Sequence, residues 1–432
     1  MHTIKIENFG PISKAEMSIA DIVFLIGEQA SGKSNVAKLI YFCKTLNEEL
    51  VNLIFKNGSE DWSVSMTTYF SILRKKFTNI FGLTKDLGEF CIVYSYSHDN
   101  KVTITPNPEN TVNFQFSNQL LSDAASVWDN AKKMLLENKQ KSHNMYAGYL
   151  VDHVAKQAIL SRCQELFSDD AYSVYIPAGR ALLSRQMLLQ LIQGDELRRI
   201  NQSESYLPFD IVDAPTRNYI AEVGRIREAL IDESIDDPLI NFLKYTSEEI
   251  LKGSYVYRNN YDYIKLDDRK LVPLSYSSSG QQEVVWLLNL LFSYAVSGQK
   301  SLIIVEEPET HLHPDAQYLL TKYIAAFLNK TKSQVIVTTH SPYVLSSFNN
   351  LFYADKCGKK IENCEIAASI IPKQSWLKEE AFSAFIIEDS TLRNIKDESL
   401  AMVDVGELDV VASRQDAEYE KLLHISKGGS LN

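Results

Sequence analysis

The first forty-odd residues carry apolar and polar positions in the order of a strand, a turn, a second strand, a glycine-rich loop and a helix. Residues 3–7 alternate apolar and polar side chains, and the segment Phe9-Gly10-Pro11 ends that alternation. Residues 21–26 are almost continuously apolar, which is typical of a strand buried on both faces. Beyond the glycine-rich segment, helical spacing is found at Val36, Leu39, Ile40 and Phe42.

Between residues 46 and 169 the pattern changes. Helical stretches flank a predicted three-strand meander at 90–96, 101–106 and 111–116, with turn residues between the strands. Residues 117–167 have the apolar spacing of one or two helices. We interpret 46–169 as an insertion into a larger domain.

From residue 172 onward, short apolar runs alternate with helical patterns, which favours a largely parallel sheet covered by helices. The predicted elements are a strand at 172–176, a hairpin at 254–266, a helix after Gly280, a strand at 301–305, a helix at 314–328, a strand at 334–338 and a short helix after Pro342. Patterns beyond about residue 356 are weak. The expected organisation is an α/β core at 1–45 and 170–355, the insertion at 46–169, and a small C-terminal lobe at 356–432.

The composition suits a soluble globular protein. Of 432 residues, 45% are hydrophobic and 23% charged, which excludes a disordered, collagen-like or purely heptad-repeat chain. The length suggests two or three structural units. With 44 basic and 55 acidic residues the net charge is −11, which argues against a general nucleic-acid coat protein because such a protein needs a broadly basic surface.

The N-terminus does not have the pattern of a signal peptide, because charged residues interrupt its apolar positions at Lys5, Glu7, Lys14 and Glu16. The most apolar stretch, 286–295, is far shorter than the roughly 20 residues of a membrane helix. Five scattered cysteines without a C-x-x-C pair are typical of reduced thiols. We expect a cytoplasmic protein without a membrane partner.

Residues 27–34, Gly-Glu-Gln-Ala-Ser-Gly-Lys-Ser, match the phosphate-loop pattern G-x-x-x-x-G-K-[ST] in full. Glycines at this spacing let backbone N–H groups turn inward around phosphate oxygens, and the N-terminus of the following helix adds partial positive charge. Lys33 is expected to reach the β- and γ-phosphates, and the Ser34 hydroxyl to bind Mg²⁺. The position between a buried strand and a helix distinguishes this motif from an ordinary glycine-rich turn.

A second motif, residues 302–309, is an apolar strand that ends in Glu-Glu-Pro-Glu. In open α/β sheets, ligands bind at the carboxyl ends of the strands. Glu306 is therefore a candidate for holding the water shell of Mg²⁺, and Glu307 is a candidate for polarising the attacking water. By itself the pattern also fits an acidic turn after a strand, but the presence of the phosphate loop favours the catalytic interpretation.

Residues 277–283, Ser-Ser-Ser-Gly-Gln-Gln-Glu, precede an apolar helix. A small-residue turn that caps a helix explains this segment without a ligand. Its position about twenty residues before the acidic strand instead suggests a second anion site, made of N–H groups and hydroxyls at a helix start.

His340 follows the predicted strand at 334–338, within the segment Val-Thr-Thr-His-Ser-Pro. A lone histidine at a strand end is commonly a hydrogen-bonded structural residue. His340 follows the next predicted strand after the acidic pair. From that position it would also reach the γ-phosphate and sense its loss.

Three weaker patterns favour simpler interpretations. The pair His311 and His313 lacks the further ligands of a metal site. Segments 385–389 and 403–407 faintly resemble a TOPRIM nuclease but contain no D-x-D. Basic residues that either contact nucleic acid or form solvated helix faces are Arg74, Lys75, Lys76, Lys132, Lys133, Lys139 and Lys141.

Taken in order, the phosphate loop, the Ser-Gly-Gln turn, the acidic strand and the strand-end histidine resemble the motifs of the ABC-type ATPases. The strings EEPETHLHP at 306–314 and IKIENFGPI at 4–12 are similar to the OLD-type and SMC/RecF-like branch of that superfamily. The resemblance covers about residues 1–44 and 172–355. It implies an ABC-type P-loop ATPase head that dimerises head-to-tail around two ATP molecules, with residues 278–281 of one protomer touching the γ-phosphate held by the other.

This resemblance assigns Glu307 and His340 as catalytic residues and Ser34 and Glu306 as metal-binding residues, with ATP and Mg²⁺ as cofactors. The assigned nucleotide-binding residues are Gly27, Glu28, Gln29, Ala30, Ser31, Gly32, Lys33, Ser34, Asn35, Ser278, Ser279, Gly280 and Gln281. The sequence departs from the transporter pattern because Glu306 replaces the usual aspartate and Ser279 stands where glycine is common. A clear Q-loop glutamine is also missing, and the nearest candidate segment is 175–180.

A small ATPase with this insertion and the segment Tyr-Ile-Pro-Ala-Gly-Arg resembles the ATPase subunits of anti-phage defence systems, PtuA of Septu or AriA of PARIS. That resemblance implies a homodimer or higher homo-oligomer and a separately encoded effector, such as a nuclease, which the ATPase restrains or releases. Nucleic-acid contact would then be indirect. The alternatives are a RecF/SMC-like DNA-repair clamp, a non-hydrolysing scaffold held together by ATP, and a transporter subunit, which the missing Q-loop and the insertion disfavour.

Overall fold

The computed structural model describes residues 1–57, 61–141, 145–181, 213–227, 236–397 and 402–403. The helices in these ranges are α1 Lys33–Lys44, α2 Leu46–Asn57, α3 Trp62–Phe81, α4 Asn118–Lys141, α5 Met145–Leu166, α6 Ala214–Arg227, α7 Pro238–Leu251, α8 Ser279–Ser297, α9 Pro314–Thr331, α10 Pro342–Gly358 and α11 Ile361–Ile370. The strands are β1 Thr3–Phe9, β2 Ile12–Ser18, β3 Ile22–Gly27, β4 Cys91–Ser95, β5 Lys101–Asn107, β6 Thr111–Phe116, β7 Tyr172–Ile176, β8 Ser254–Arg258, β9 Tyr261–Asp267, β10 Lys270–Pro273, β11 Ser301–Glu306, β12 Gln334–Thr338, β13 Phe382–Glu388, β14 Thr391–Asn394, β15 Lys396–Asp397 and β16 Met402–Val403.

One mixed sheet organises the described part of the chain, with eleven strands in the order β6-β5-β4-β1-β2-β14-β13-β3-β12-β11-β7. Strands β13, β3, β12, β11 and β7 are neighbours and run parallel. Strands β6, β5, β4, β1 and β2 form an antiparallel half. Strand β3 is buried at every position, as its continuous apolar sequence predicts. The predicted α/β class is confirmed, and the sheet is mixed, with its parallel strands in one half.

Helices cover both faces of the sheet, because alternate residues of a strand point in opposite directions. Phe24 of β3 packs in the core formed with helices α6 to α10, whereas Val23 and Leu25 pack in the core formed with helices α1 to α5. Trp286 is fully buried in the first core and Trp128 in the second. Each large apolar side chain buried in this way contributes roughly 1.5–3 kcal/mol. The parallel strands are therefore held between two packed layers, which fixes the positions of their carboxyl ends.

Three strands of this sheet are missing from the sequence-based prediction. In β2 the buried positions are Ile12, Ala15 and Met17, so the interval of three residues at its start breaks the period of two that marks a strand. Strand β13, like β14, lies in the weakly patterned C-terminal region. It occupies a central position because it pairs with β3, including the register pair Ile387↔Gly27, about 360 residues apart in sequence. A pairing over that distance leaves no local pattern.

The segments interpreted as an insertion and a C-terminal lobe both contribute strands to the main sheet. Strand β4 of the proposed insertion pairs with β1, and β5 and β6 follow it outward. Strands β13 and β14 of the proposed lobe lie between β2 and β3. The proposed boundaries at 45, 169 and 355 thus divide one continuous sheet. The rest of the proposed lobe, residues 398–401 and 404–432, lies outside the described residues.

A smaller antiparallel sheet of β8, β9 and β10 precedes α8. Asn259 and Asn260 join β8 to β9 with φ values of +53° and +63°, the left-handed conformations of a tight two-residue hairpin turn, which asparagine tolerates. The predicted hairpin is therefore confirmed. The strand prediction at 334–338 and the meander prediction are likewise confirmed, with shifts of at most one residue at the ends of the meander strands.

Across the described ranges, none of the helices has both the length and the apolar character needed to span a membrane.

Candidate active site at the carboxyl edge of the parallel strands

Three neighbouring parallel strands end at the same edge of the sheet and carry the predicted site. Strand β3 runs into the phosphate loop, β11 ends at Glu306, and β12 ends two residues before His340. Strand β12 lies between β3 and β11, and Thr338 is paired in register with Glu306. The fold therefore brings together the phosphate loop, the acidic pair and the histidine that the sequence predicts as one site.

The phosphate loop depends on two glycines in the left-handed region of backbone conformation. Gly27 has a φ of +146° and Gly32 a φ of +106°, where any other residue would be strained. A Cβ at Gly27 would lie 2.6 Å from the carbonyl oxygen of Ile387 in β13, and a Cβ at Gly32 would lie 2.9 Å from the side chains of Pro11 and Ile12. The loop is thus enclosed by β13 on one side and by the β1–β2 turn on the other.

Lys33 begins α1 and is buried inside the loop, with 6% of its surface exposed. Its Nζ donates to the carbonyl oxygens of Gly27, 2.9 Å away, and Glu28, 2.7 Å away. Burial lowers the pKa of the Lys33 ammonium, while the nearby glutamates that follow β11 act in the opposite direction and favour the charged form. The lysine charge is therefore placed between the loop and the acidic strand end.

The other predicted loop residues have distinct environments. Ser34 is exposed in the first turn of α1, and the residues at the loop tip, 28–30, are exposed as well. Asn35 contacts the β1–β2 turn, because a Cβ at Gly10 would lie 2.6 Å from its Nδ2. The Ser31 hydroxyl is buried without a hydrogen-bond partner. Ser34 is thus accessible to a ligand, whereas Asn35 holds the loop helix against the N-terminal hairpin.

The two acidic residues differ in exposure and backbone. Glu306 is 8% exposed, its Oε2 accepts the N–H of Ala178 at 3.2 Å, and its Oε1 is buried without a hydrogen-bond partner. Glu307 is partly exposed and has a φ of +41°, which is uncommon for a residue with a side chain. Its N–H donates to the carbonyl of Thr338 at 2.9 Å. The β12 backbone therefore holds Glu307 in an unfavourable conformation directly after the strand.

The oxygen atoms at this edge fit Mg²⁺. Glu306 presents a buried carboxylate oxygen with no donor, and Ser34 presents an exposed hydroxyl. The described residues contain no cluster of three His, Cys, Asp or Glu side chains suited to a metal. A protein that supplies only one or two oxygens, with phosphates and waters as the remaining ligands, is the usual arrangement for Mg²⁺ beside a nucleotide. His313, considered above as a metal ligand, instead accepts the Asp315 N–H at 3.4 Å and caps α9.

Glu309 also belongs to the site, although the sequence analysis assigns it no role within the acidic segment 306–309. Its Oε1 accepts the hydroxyl of Thr339 at 2.7 Å and the backbone N–H of His340 at 2.9 Å. Thr339 is fully buried. Glu309 therefore ties the end of the acidic segment to the histidine turn. Its position two residues after Glu307, with a proline between them, was the signal available in the sequence.

His340 lies beside the acidic pair, with its Nε2 3.7 Å from Oε1 of Glu307. Burial and the positive charge of Lys33 lower the pKa of the imidazole below its ordinary value of 6.5, and the carboxylates of Glu307 and Glu309 oppose that shift. A lowered pKa favours the neutral imidazole near pH 7, which donates one hydrogen bond and accepts another. The charges of Lys33 and Glu307 thus act on His340 in opposite directions.

Residues 277–283, the signature segment, form the N-terminus of α8, the signature helix. Ser278 and Gln281 make a capping box, in which the Gln281 N–H donates to Ser278 Oγ at 3.3 Å and the Ser278 N–H donates to Gln281 Oε1 at 3.0 Å. The Gln281 side chain also donates to the carbonyl of Leu251 at 2.6 Å. The interpretation as a helix cap therefore accounts for these two side chains. Ser278 and Ser279 are nevertheless exposed at a helix start, where partial positive charge favours an anion.

Gly280 joins the signature segment to the acidic strand. A Cβ at this position would lie 2.7 Å from the carbonyl oxygen of His311, so the helix start and the turn after Glu309 touch through their backbones. Glycine is needed because of this close approach and not because of its φ. Within this segment Ser278 and Gln281 bond to each other, Gln281 also bonds to Leu251, and the Gln282 side chain donates to the carbonyl of Ser277 at 2.9 Å.

Arg180 is a second residue to which the sequence analysis assigns no role, although its segment is the nearest Q-loop candidate and part of the resemblance to defence ATPase subunits. The arginine is 1% exposed and lies directly behind the acidic strand end. It donates to the carbonyl oxygens of Glu306 at 2.7 Å and Glu307 at 3.1 Å. A charged residue next to Pro-Ala-Gly after a buried strand was the available signal, but its partners in α8 and at the end of β11 lie more than 100 residues away in sequence.

Comparisons with known proteins identify the family of the chain. The model of the AAA ATPase domain family (AAA_15) matches residues 1–345. Protein ea59 of Escherichia phage lambda is 34% identical over 97 residues, which cover 20% of this chain and 18% of that protein. Endonuclease GajA of Bacillus cereus (strain HuB5-5) is 44% identical over 68 residues, which cover 12% of this chain and 10% of that protein. The matches thus span only about a fifth and a tenth of these relatives.

Among solved structures, an Smc head bound to the C-winged helix domain of ScpA has a TM-score of 0.42 at 11% identity, covering 91% of this chain and 96% of that chain. The SMC head domain from Thermotoga maritima has a TM-score of 0.36 at 12% identity, covering 92% and 98%. The family model is matched over most of the chain and includes the phosphate loop, the acidic pair and His340. The chain belongs to the AAA ATPase domain family, with a P-loop ATPase fold built on a mixed α/β sheet.

Proposed function

We propose that the protein is a Mg²⁺-dependent ATPase whose nucleotide site lies at the edge formed by β3, β11 and β12. The observation that carries this proposal is the meeting of the Lys33 ammonium, the Glu306–Glu307 pair and His340 at one strand edge. In a low-dielectric site these groups act strongly on the charge that develops during phosphoryl transfer. The family match supports nucleotide binding.

Each residue has a distinct role in this proposal. The loop N–H groups and Lys33 bind the β- and γ-phosphates, and Ser34 and Glu306 hold Mg²⁺, which neutralises charge on the phosphates. Glu307 accepts a proton from the attacking water, since a general base must lie within hydrogen-bonding reach of it. His340, 3.7 Å from Glu307, donates a hydrogen bond toward the γ-phosphate.

We further infer that two copies pair around the nucleotide. The exposed hydroxyls of Ser278 and Ser279 lie at the start of α8, where the helix dipole favours an anion. Together with the resemblance to ABC-type heads, this exposure supports contact between residues 278–281 and a phosphate bound by a second copy.

The proposed biological role is the regulation of a separately encoded effector, a nuclease, in defence against phage. The match to a protein named as an endonuclease supports a link to nuclease systems, and the resemblance to defence ATPase subunits supports the role in defence. Extensive DNA binding by the chain itself has less support, because Lys76 pairs with Glu49 at 2.6 Å and Lys132 pairs with Asp61 at 2.9 Å. Lys139 and Lys141 carry no described side chains.

The proposed site is tested by ATP binding to Lys33→Ala, with Lys38→Ala as the matched control. Lys38 lies further along the same helix and pairs with Asp213 at 2.5 Å. Loss of a charge-assisted hydrogen bond worth about 1.5–3 kcal/mol predicts a roughly 10- to 100-fold weaker affinity of Lys33→Ala for a fluorescent ATP analogue with Mg²⁺. Lys38→Ala should bind within a few-fold of wild type. Equal affinities of Lys33→Ala and wild type would contradict the proposed site.

A further inference from the structure

A buried arginine outside the predicted site holds the backbone of both acidic residues. Arg180 Nη1 donates to the carbonyls of Glu306 at 2.7 Å and Pro177 at 3.0 Å, and Nη2 donates to the carbonyl of Glu307 at 3.1 Å. Its Nε donates to the carbonyl of Glu283 in α8 at 3.1 Å. One planar guanidinium therefore connects three segments: the end of β7, the end of β11 and the signature helix.

Arg180 has a charged neighbour in Glu283. Glu283 is 2% exposed, and its Oε2 lies 3.6 Å from Arg180 Nε. It is the one carboxylate paired with Arg180 among the ion pairs of the described residues. In the part of the chain that the structure describes, the four hydrogen bonds of the guanidinium all go to backbone carbonyls. A buried charge is tolerated only where its hydrogen bonds are satisfied, and here two of the four bonds are made to Glu306 and Glu307 of the proposed active site.

The conformation of Glu307 explains what the arginine does. Its φ of +41° is unfavourable for a residue with a Cβ and persists only where surrounding contacts enforce it. The Glu307 N–H donates to Thr338. The Glu307 carbonyl accepts the Thr310 N–H at 3.1 Å, the Thr310 hydroxyl at 2.9 Å and Arg180 Nη2 at 3.1 Å. The two Thr310 bonds stay within the turn itself, whereas the Arg180 bond ties the turn to β7 and α8. Removal of the arginine would release that connection and allow the turn to shift, which would move the carboxylate.

We propose that Arg180 is a positioning residue that fixes the Glu306–Glu307 turn relative to the signature helix α8. In this way the position of α8, whose first turn carries Ser278 and Gly280, is transmitted to the proposed general base. The inference rests on the proposed ATPase function. It predicts a defect in turnover and not in nucleotide binding, because the hydrogen bonds of Lys33 are made within the phosphate loop.

Arg227 provides a matched control, because it is equally buried and also contacts α8 without touching the site. Its guanidinium pairs with Asp262 and lies 4.7 Å from the ring centre of Tyr257 and 6.0 Å from that of Trp286 in α8. Replacement of Arg227 by methionine removes a buried charge from its partner just as replacement of Arg180 does. The two substitutions therefore share a cost in stability and differ in their distance from Glu307.

The experiment compares Arg180→Met, Arg180→Lys and Arg227→Met in the full chain by melting temperature, affinity for a fluorescent ATP analogue, and kcat and KM for ATP. A displacement of about 1 Å in a catalytic group lowers the rate about 100-fold. Arg180→Met is therefore expected to lose about 100-fold in kcat while its ATP affinity changes less than a few-fold. Arg227→Met should show a similar loss of melting temperature and a kcat close to wild type. Arg180→Lys keeps the charge but not the planar fork, so its kcat should lie between those of wild type and Arg180→Met.

These outcomes distinguish the positioning role of Arg180 from the proposed ATPase function. If the wild-type protein turns over ATP and Arg180→Met and Arg227→Met have the same kcat, the positioning role is overturned and the ATPase function stands. Absence of Mg²⁺-dependent turnover in wild type would overturn the proposed ATPase, and this inference with it. If Arg180→Met does not fold, Arg180→Lys tests the positioning role instead. A kcat of Arg180→Lys equal to that of wild type would show that the planar contacts to Glu306 and Glu307 are not needed.

Discussion

The backbone N–H of His340 donates to the Glu309 carboxylate at 2.9 Å, so the histidine turn is anchored to the end of the acidic segment. The same oxygen accepts the hydroxyl of Thr339 at 2.7 Å. Strand β12 and the turn after β11 are thereby joined at the point where the proposed chemistry takes place. Glu309 therefore holds His340 through the histidine backbone.

Replacement of Glu309 by alanine should displace His340 and leave the buried Thr339 hydroxyl without an acceptor for its hydrogen, although the Ser341 N–H still donates to that oxygen at 3.0 Å. An unsatisfied buried polar group costs about 1–3 kcal/mol, and we expect a comparable loss in the free energy of unfolding from urea titration. Turnover should fall about 10- to 100-fold, on the scale found when a positioning hydrogen bond is removed from a site. Glu309→Gln keeps an acceptor oxygen and is the matched control, with turnover within a few-fold of wild type. Equal turnover in Glu309→Ala and Glu309→Gln would show that the anchor is not needed.

Substitutions of Ser278 separate its role as a helix cap from its proposed role in anion binding. Ser278→Ala removes the cap and should lower the free energy of unfolding by about 1 kcal/mol. Ser278→Asp keeps a good cap, so stability should be preserved, but it places a negative charge where a phosphate is proposed to bind. Turnover should therefore fall more in Ser278→Asp than in Ser278→Ala. The reverse order would indicate that this segment acts only as a cap.

Two titratable groups, the buried His2 and the partly buried Glu48, give the stability an unusual pH dependence. His2 is buried, with Nε2 donating to the carbonyl of Ser168 at 3.0 Å, and burial together with the positive charge of Lys44 lowers its pKa to about 3. The unfolded chain therefore binds more protons at His2 between about pH 3 and 6.5, and this contribution to stability is lost as the pH falls. Burial raises the pKa of Glu48 to about 7, so the folded chain binds more protons there between about pH 4.5 and 7, and stability is lost as the pH rises.

These opposite slopes predict a nearly flat stability between about pH 4.5 and 6.5 from this pair. In Glu48→Gln the free energy of unfolding should rise with pH, and in His2→Gln it should fall with pH. Each slope should differ from that of wild type by up to about 1.4 kcal/mol per pH unit. Urea titrations of the three proteins at pH 5, 6 and 7 measure these slopes. Parallel stability curves for wild type and both variants would contradict the assigned protonation states.

The protonation of His340 should depend on Lys33. An NMR titration of labelled histidine is expected to give His340 a midpoint below 6.5, because burial and the Lys33 charge disfavour the imidazolium. Lys33→Met should raise that midpoint, whereas Lys38→Met should leave it unchanged because Lys38 is paired with Asp213. Identical midpoints in the two variants would mean that Lys33 and His340 do not share a site.

Local pattern predicts the parts of this fold that are defined by contiguous residues. The phosphate loop, the acidic strand end and the histidine turn each lie directly after a short apolar strand, so both the elements and the candidate residues follow from the sequence. Their meeting at one edge follows from the geometry of parallel strands. Strand β7 was predicted at its observed bounds for the same reason, since its residues form a compact apolar run between polar segments.

The remainder depends on contacts between residues far apart in sequence. Strand β13 becomes central through pairing with β3, and the meander extends the sheet through pairing with β1. Arg180 acts on Glu306 across 126 positions and on Glu283 across 103. No spacing rule links such residues, because their proximity is produced by the order of strands in the sheet.

The most direct test of the central claim is the Mg²⁺-dependent ATP turnover of Glu307→Gln compared with wild type and with Glu388→Gln. Glu388 is an exposed glutamate at the carboxyl end of β13, on the same sheet edge, and it pairs with Arg393 at 3.3 Å. Loss of a general base predicts a turnover about 10²- to 10⁴-fold lower in Glu307→Gln, with ATP affinity retained. Glu388→Gln should turn over ATP like wild type. A Glu307→Gln variant as active as wild type, or a wild-type protein that binds ATP without Mg²⁺-dependent turnover, would contradict the account.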